Sequence, residues 1–239
     1  MWVDLSRRQV DRRPCPESVL RDYLGGRGLA VRLLLEHIPP SVQPLDPENM
    51  LILAAGLLSG TRMITTGRLH IAARSPLTGL IGCSNGGGSF GAQLKACGIM
   101  ALIVTGRAES PVWIDIQERK IAIEDAAGYW GLLTGEARRR FKELAGDEKA
   151  GVILIGPAGE NLSPLGCVMT ERAHAAGRTG MGAVMGSKNL KAVVVRNTAS
   201  SRERYSKEAA EAVRKYVAAL RALPCWEEWS SMGSSASVS

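Results

Sequence analysis

Apolar runs in this chain are short, and glycine or proline ends most of them. Met50–Ala55 is wholly apolar before Gly56, which predicts a strand buried on both faces. Leu69–Ala73, closed by Ser75-Pro76, and Ala101–Thr105, closed by Gly106, predict two more. Trp2–Leu5 predicts a short opening strand, followed by a turn. Residues 111–116 and 120–123 alternate about a polar turn and predict a hairpin. Val152–Ile155 and Ala192–Val195 supply two further strands. Helical spacing accounts for the rest. One helix is expected from about Pro16 into the glycines at 25–28, and a second over Leu29–Ile38, stopped by Pro39-Pro40. Thr134–Leu144 predicts a basic amphipathic helix. Ser206–Leu223 predicts another, with Ala209, Val213, Tyr216, Val217 and Leu220 on one side.

The pattern repeats. Shifted by 91 residues, SFGA (89–92) lies on GMGA (180–183), and ALIV (101–104) lies on AVVV (192–195). The earlier runs LILAAG from Leu51 and VILIGPAG from Val152 also match, at a different offset. Each copy is a glycine-rich loop, a short helical stretch and a buried strand. The expected fold is α+β: two similar sheet-containing halves, packed with helices, arising from an internal duplication.

Composition narrows the function classes. At 239 residues, 45% hydrophobic and 22% charged, the chain can bury a core and is not disordered. It has no apolar run of about 18 residues, and its first ten residues are charged, so no membrane association and a cytoplasmic location are expected. The five cysteines are scattered with no CxxC or CxxxC spacing, and the three histidines are far apart in sequence. A chain-local zinc or iron–sulfur site therefore has no support. The net charge of +7 suits an anionic ligand. With two Phe and four Tyr, the stacking platform of a single-strand nucleic-acid binder is thin, and no nucleic-acid partner is expected. The run Arg138-Arg139-Arg140 reads as a solvated helix face.

Glycine is the informative residue, concentrated at Asn85–Gly91 and at Ala175–Lys188. Consecutive glycines let backbone N–H groups converge on an oxyanion, and a following helix adds its positive end. Arg68, Arg74, Arg178, Lys188 and Lys191 flank these loops as candidate phosphate partners. Neither loop matches a P-loop or dinucleotide fingerprint. Close sheet-to-helix packing explains the glycines equally well at this point.

Longer motifs carry a resemblance. SPLTG (75–79), SNGGGSFG (84–91), IGPAGEN (155–161) and AAGRTGMGAVMGSKNLKA (175–192), with GGRGLA (25–30) and GLLSG (56–60), stand in order at characteristic spacing. Together they resemble the N-terminal domain of the tungsten-containing aldehyde ferredoxin oxidoreductase family, over residues 1–200. The resemblance implies a tungsten or molybdenum held by the dithiolenes of two pterins, without a protein ligand, and Mg2+ bridging the pterin phosphates. It implies that the Asn85 side chain and the Ala175 carbonyl complete the magnesium shell, and that Gly87, Gly177 and Arg178 bind the pterins or their phosphates. Arg68 would bind pterin toward the iron–sulfur cluster. His174 stands where the family usually has arginine and lacks its bidentate fork; Arg172 is the nearby substitute.

The full enzyme of this family oxidises an aldehyde to a carboxylic acid and passes electrons through a 4Fe-4S cluster to ferredoxin. Its cluster cysteines and acid/base residues lie in later helical domains, so no catalytic residue is expected here. Residues 201–239 would be an amphipathic helix and the start of the next domain. The chain is expected to work with the missing C-terminal domains, with a partner subunit or as a homodimer. The competing reading is a non-catalytic pterin- or phosphate-binding scaffold of the same ancestry.

Overall fold

Two six-stranded sheets organise the molecule. The computed structural model describes residues 1–61, 63, 66–118, 120–171, 174–196 and 206–233. The first sheet holds β1 (Trp2–Asp4), β2 (Gln9–Asp11), β3 (Leu51–Ala55), β4 (Leu69–Arg74), β5 (Ile81–Gly86) and β6 (Ala101–Thr105), in the order β2-β1-β6-β3-β4-β5. With it go helices α1 (Glu17–Tyr23), α2 (Gly26–His37) and α3 (Phe90–Ala96). The second sheet holds β7 (Val112–Gln117), β8 (Lys120–Asp125), β9 (Gly151–Leu154), β10 (Val168–Met169), β11 (Ala175–Ala176) and β12 (Leu190–Arg196), in the order β11-β10-β9-β12-β7-β8. Its helices are α4 (Thr134–Ala145), α5 (Pro157–Glu160) and α6 (Met181–Ser187).

Read backwards, the second order is β8-β7-β12-β9-β10-β11, which is the first order with six added to every strand. The pairings agree too. β1 runs parallel to β6 and β7 parallel to β12, while the other neighbours in both sheets are antiparallel. The 91-residue shift carries α3 onto α6 and places β6 within β12. The sequence repeat is a repeat of fold.

Burial explains why the predicted strands read as unbroken apolar runs. Leu51 and Leu53 of β3 point into one core shared by both sheets, with Phe90 and Leu94 of α3 and Met181, Val184 and Met185 of α6. Ile52 and Ala54 point the other way, beneath Leu29, Ala30 and Leu34 of α2. In the second half Ile153 faces the shared core, while Val152 and Leu154 lie under Ala137 and Phe141 of α4. A strand covered on both faces needs no polar alternation.

Several expectations change. β5 and β11 were not anticipated as strands, because small and polar residues (IGCSNG and AA) carry little strand propensity; their ladders to β4 and β10 make them strands. α2 begins at Gly26 rather than Leu29. A Cβ at Gly28 would stand 2.4 Å from the Tyr23 carbonyl oxygen, so this glycine lets α2 start close against the end of α1. Arg138 is buried, not solvated, and its guanidinium donates to the Val152 and Met169 carbonyls. Its neighbours Arg139 and Arg140 do face solvent, paired with Glu143 and Glu136. Burial pushes the Arg138 pKa down. α7 (Lys207–Arg221), capped by Ser206, and α8 (Trp226–Met232) contain no buried residue. Among the described residues, no helix is long and apolar enough to cross a membrane.

Two lysines near the second glycine loop also serve the fold. Lys191 is fully buried, ion-paired with Glu160 and donating to the Leu132 carbonyl at 3.1 Å. Lys188 is fully buried and ties the halves together, with Nζ donating to the carbonyls of Pro47 (2.9 Å) and Gly106 (3.2 Å). Burial, with Arg107 adding to it, lowers the Lys188 pKa to about 7 from 10.5. Between those values the unfolded chain binds more protons, so this group makes stability rise with pH and withdraws that stability as pH falls through about 7. Lys188→Met should flatten that rise. Urea unfolding of both proteins at about pH 7 and about pH 10 measures it, and parallel changes would reject the assignment.

A basic junction between the two halves

The two sheets present corresponding edge strands to each other. β5 ends the first sheet, β11 ends the second, and the two lie in contact. Side chains of one half hold the loops of the other. The Arg178 N–H donates to Ser84 Oγ at 3.1 Å. Ser75 Oγ donates to the Thr179 carbonyl at 2.8 Å and accepts from the N–H groups of Leu77 and Thr78. Glu171 Oε1 accepts from both Ser89 N–H (3.1 Å) and Ser89 Oγ (2.9 Å). Thr179 and Gly180 both have positive φ, and this left-handed pair turns the chain into α6.

All seven expected site residues come to this junction. Asn85 of β5, Ala175 of β11 and the loop residues His174, Gly177 and Arg178 are exposed around it, while Ser84, Gly86 and Ala176 are buried between the sheets. Arg68 precedes β4 and donates from Nη1 to Asn85 Oδ1 at 2.9 Å, fixing the carboxamide. Gly87 lies against the His174 ring. Arg172 lies outside the described residues. Arg74 does not join the site: it donates to the carbonyls of Gly79 and Pro40.

The glycines divide into two kinds. A Cβ on Gly86 would come within 2.4 Å of Thr170 Oγ1, and one on Gly88 within 2.3 Å of Glu171 Cγ. Gly180 and Gly182 are equally confined, at 2.5 Å from the Pro164 oxygen and 2.7 Å from the Cys167 oxygen. Gly86, Gly88 and Gly180, the last with Pro76 2.8 Å from its Cβ position, let the halves interlock, while Gly182 lets α6 pack within its own half. Gly87 and Gly177 differ. A Cβ there would meet its nearest neighbour at 3.6 Å, an ordinary contact, and neither has positive φ. Protein packing does not require the bare backbone at these two positions.

A cavity of about 600 Å³ opens at the junction, lined by Arg27, Cys83, Leu165, Gly177, Arg178 and Gly180, among others. His70, directly opposite Asn85 in the β4–β5 ladder, is buried and its Nε2 has no hydrogen-bond partner. Burial, and then Arg27, lower its pKa to about 4, so the ring is neutral near pH 7. Burial pushes the Cys83 thiol up, with Arg27 opposing. In this cavity Arg27, Arg178 and the exposed Gly177 backbone make a donor set for a phosphate-bearing anion, while Arg68, Asn85, Gly87, His174 and Ala175 do not line it. Among the described residues, no group of three or more His, Cys, Asp or Glu side chains could hold a metal ion. Arg27, Ser75, Ser84 and Glu171 were not foreseen. Arg27, Ser75 and Ser84 stand within the motifs GGRGLA, SPLTG and SNGGGSFG, but nothing in those motifs tells their roles.

Two like halves of mixed sheet thus meet at a glycine-lined, basic seam. The chain belongs to the aldehyde ferredoxin oxidoreductase family, whose N-terminal domain matches residues 1–197. It is 47% identical over 193 residues to the tungsten-containing aldehyde ferredoxin oxidoreductase of Pyrococcus furiosus, covering 81% of this chain and 32% of that protein. It is 33% identical over 243 residues to an aliphatic sulfonate oxidoreductase, WOR-like subunit, of the same organism, covering 95% of this chain and 39% of that one. Among solved structures it resembles the active-site complex BamBC of benzoyl coenzyme A reductase with 1,5-dienoyl-CoA. There the TM-score is 0.88 and the identity 34%, over 92% of this chain and 34% of the other. The chain thus spans about a third of the length of these relatives.

The division among glycines predicts opposite responses to alanine. Gly88→Ala combines a left-handed φ of +112° with a collision against Glu171 and should cost about 1–3 kcal/mol. Gly87→Ala should stay within about 0.5 kcal/mol of wild type. Adding Glu171→Gly to Gly88→Ala should recover part of the loss. Denaturant unfolding reads all three, and equal losses at Gly87 and Gly88 would contradict the division.

Proposed function

We propose that residues 1–200 form the pterin-phosphate cradle of a tungsten or molybdenum bis-pterin oxidoreductase, and that residues 201–239 lead into the next, helical part. The supporting observation is the bare backbone of Gly87 and Gly177, one in each half, which packing does not require: Gly177 lines the basic cavity, and Gly87 lies against the His174 ring. In this reading each half receives one pterin phosphate on its glycine N–H groups. Arg178 adds a charge-assisted fork, and Ser84 holds its backbone in place. Asn85 Oδ1, which also accepts from Arg68, and the Ala175 carbonyl would be oxygen donors of the kind that suits Mg2+. Arg68, which holds the Asn85 carboxamide, would bind the pterin. His174 would offer a ring nitrogen to the same phosphates.

The metal, when bound, supplies the redox chemistry. This chain's residues bind, orient and neutralise charge, and none is assigned as acid or base. For the whole protein we favour aldehyde oxidation to a carboxylic acid, with electrons leaving through a 4Fe-4S cluster to ferredoxin. The relatives named for that activity are more similar, at 44–47% identity, than those named for sulfonate or benzoyl-CoA chemistry at 33–34%. The cluster and the substrate pocket would belong to further domains or a partner subunit. The exposed Leu77, Leu80 and Leu165 near this seam offer apolar surface to such a partner.

Gly87→Ala and Gly177→Ala should leave unfolding free energy near wild type yet lower the pterin recovered with the protein. Asn85→Ala should lower bound magnesium and pterin together. Pterin fluorescence and elemental mass spectrometry measure both. Unchanged pterin and magnesium in all three variants would reject the cradle.

A further inference from the structure

Two buried side-chain atoms lack a hydrogen-bond partner among the described residues, Gln93 Oε1 and His70 Nε2. Gln93 is still held, by its amide nitrogen on the Lys149 carbonyl. No hydrogen bond among the described residues holds the His70 ring, although the residue is only 5% exposed. Buried polar atoms are rarely left unpaired, because the lost contact with water then goes uncompensated. The packing of β4 shows what the ring faces. Leu69, Ile71 and Ala73 point into the shared core and Ala72 lies under α2, so the alternation of a strand sends His70 to the α2 face.

Asn85 stands directly opposite His70 in the β4–β5 ladder, and Cys83 opposite Ala72. Opposed residues of an antiparallel pair share a face, with Cβ atoms roughly 5 Å apart, which an imidazole and a carboxamide can span. Arg68, two residues before His70, holds the oxygen end of that carboxamide: its Nη1 donates to Asn85 Oδ1 at 2.9 Å. A guanidinium only donates, so the amide nitrogen is the end left over. That nitrogen has no hydrogen-bond partner among the described residues. A neutral imidazole accepts at one ring nitrogen. A donor and a buried acceptor thus stand unpaired across one rung of the ladder.

We propose that His70 is a positioning residue for Asn85: once the cradle is loaded, the Asn85 amide N–H donates to His70 Nε2 and leaves Oδ1 facing the ligand. The proposal rests on the cradle reading, in which that oxygen serves Mg2+. Arg68 and a magnesium ion are both positive and compete for Oδ1, so a loaded carboxamide needs an anchor at its amide end. Donation from the amide also polarises the group and strengthens its oxygen toward a hard cation. The empty chain keeps His70 unpaired, and loading pairs it.

The test is magnesium affinity, read by EDTA competition on the 239-residue chain purified anaerobically with its pterin. Without the hydrogen bond, His70→Leu should hold magnesium roughly two- to tenfold more weakly. His70→Gln, whose Oε1 accepts, should recover most of that loss. In an Asn85→Ala background His70→Leu should have no further effect, since it acts through that side chain. In 15N NMR of wild type, the His70 Nε2 resonance should move between the empty and the loaded chain. That measurement needs no variant and decides the matter if His70→Leu does not fold. Unchanged magnesium affinity in His70→Leu, an equal loss beside Asn85→Ala, or an unmoved Nε2 resonance would each overturn the proposal. If Asn85→Ala weakens magnesium while His70→Leu does not, the cradle reading stands and this proposal falls. A folded wild-type chain that takes up neither pterin nor magnesium overturns both.

Discussion

The structure depends on the close approach of β5 and β11. Two copies of one sheet share a single core, so their corresponding edge strands end side by side, and backbone must pass close to backbone between them. Gly86 and Gly88 make room for it against Thr170 and Glu171, and Gly180 against Pro76. Ser75, Ser84, Ser89 and Glu171 then bridge it with hydrogen bonds that would otherwise be lost on burying polar loops. The exposed groups left on this seam are Asn85, His174, Ala175, Gly177 and Arg178. The site is therefore a consequence of how two halves close, not a feature that either half carries alone.

The same duplication explains what could be read without a structure. β3, β6, β9 and β12 are buried on both faces and stand out as unbroken apolar runs. α3 and α6 pack alike and keep the 91-residue shift visible. β5 and β11 were hidden because an edge strand beside a second backbone is built from small residues. Lys188, Lys191 and Arg138 misled for the opposite reason. Beside a glycine-rich loop or in a basic run, a cation suggests an anion or solvent, yet all three are buried and bonded mainly to carbonyl oxygens. Position in sequence does not tell a solvated cation from an internal one.

The glycines show how a structure separates two readings that sequence leaves equal. Packing and anion binding both predict glycine, and both operate here, at different residues. Gly88 answers to Glu171 and a left-handed φ, whereas Gly87, one residue earlier, answers to neither. The seven junction residues were placed by resemblance to a family, and the geometry brings them together. The roles of Arg27 and Ser84 emerge only in three dimensions, because one reaches the seam from a helix and the other acts through the backbone of Arg178.

If each half contributes one cradle, the number of pterins is fixed by the duplication. The direct test is the pterin-to-chain ratio in protein purified anaerobically from a host supplied with tungsten and molybdenum, read by pterin fluorescence alongside metal content. Two pterins for each metal and each folded chain is the predicted result. One pterin per chain, or a folded chain that carries none, would contradict the account.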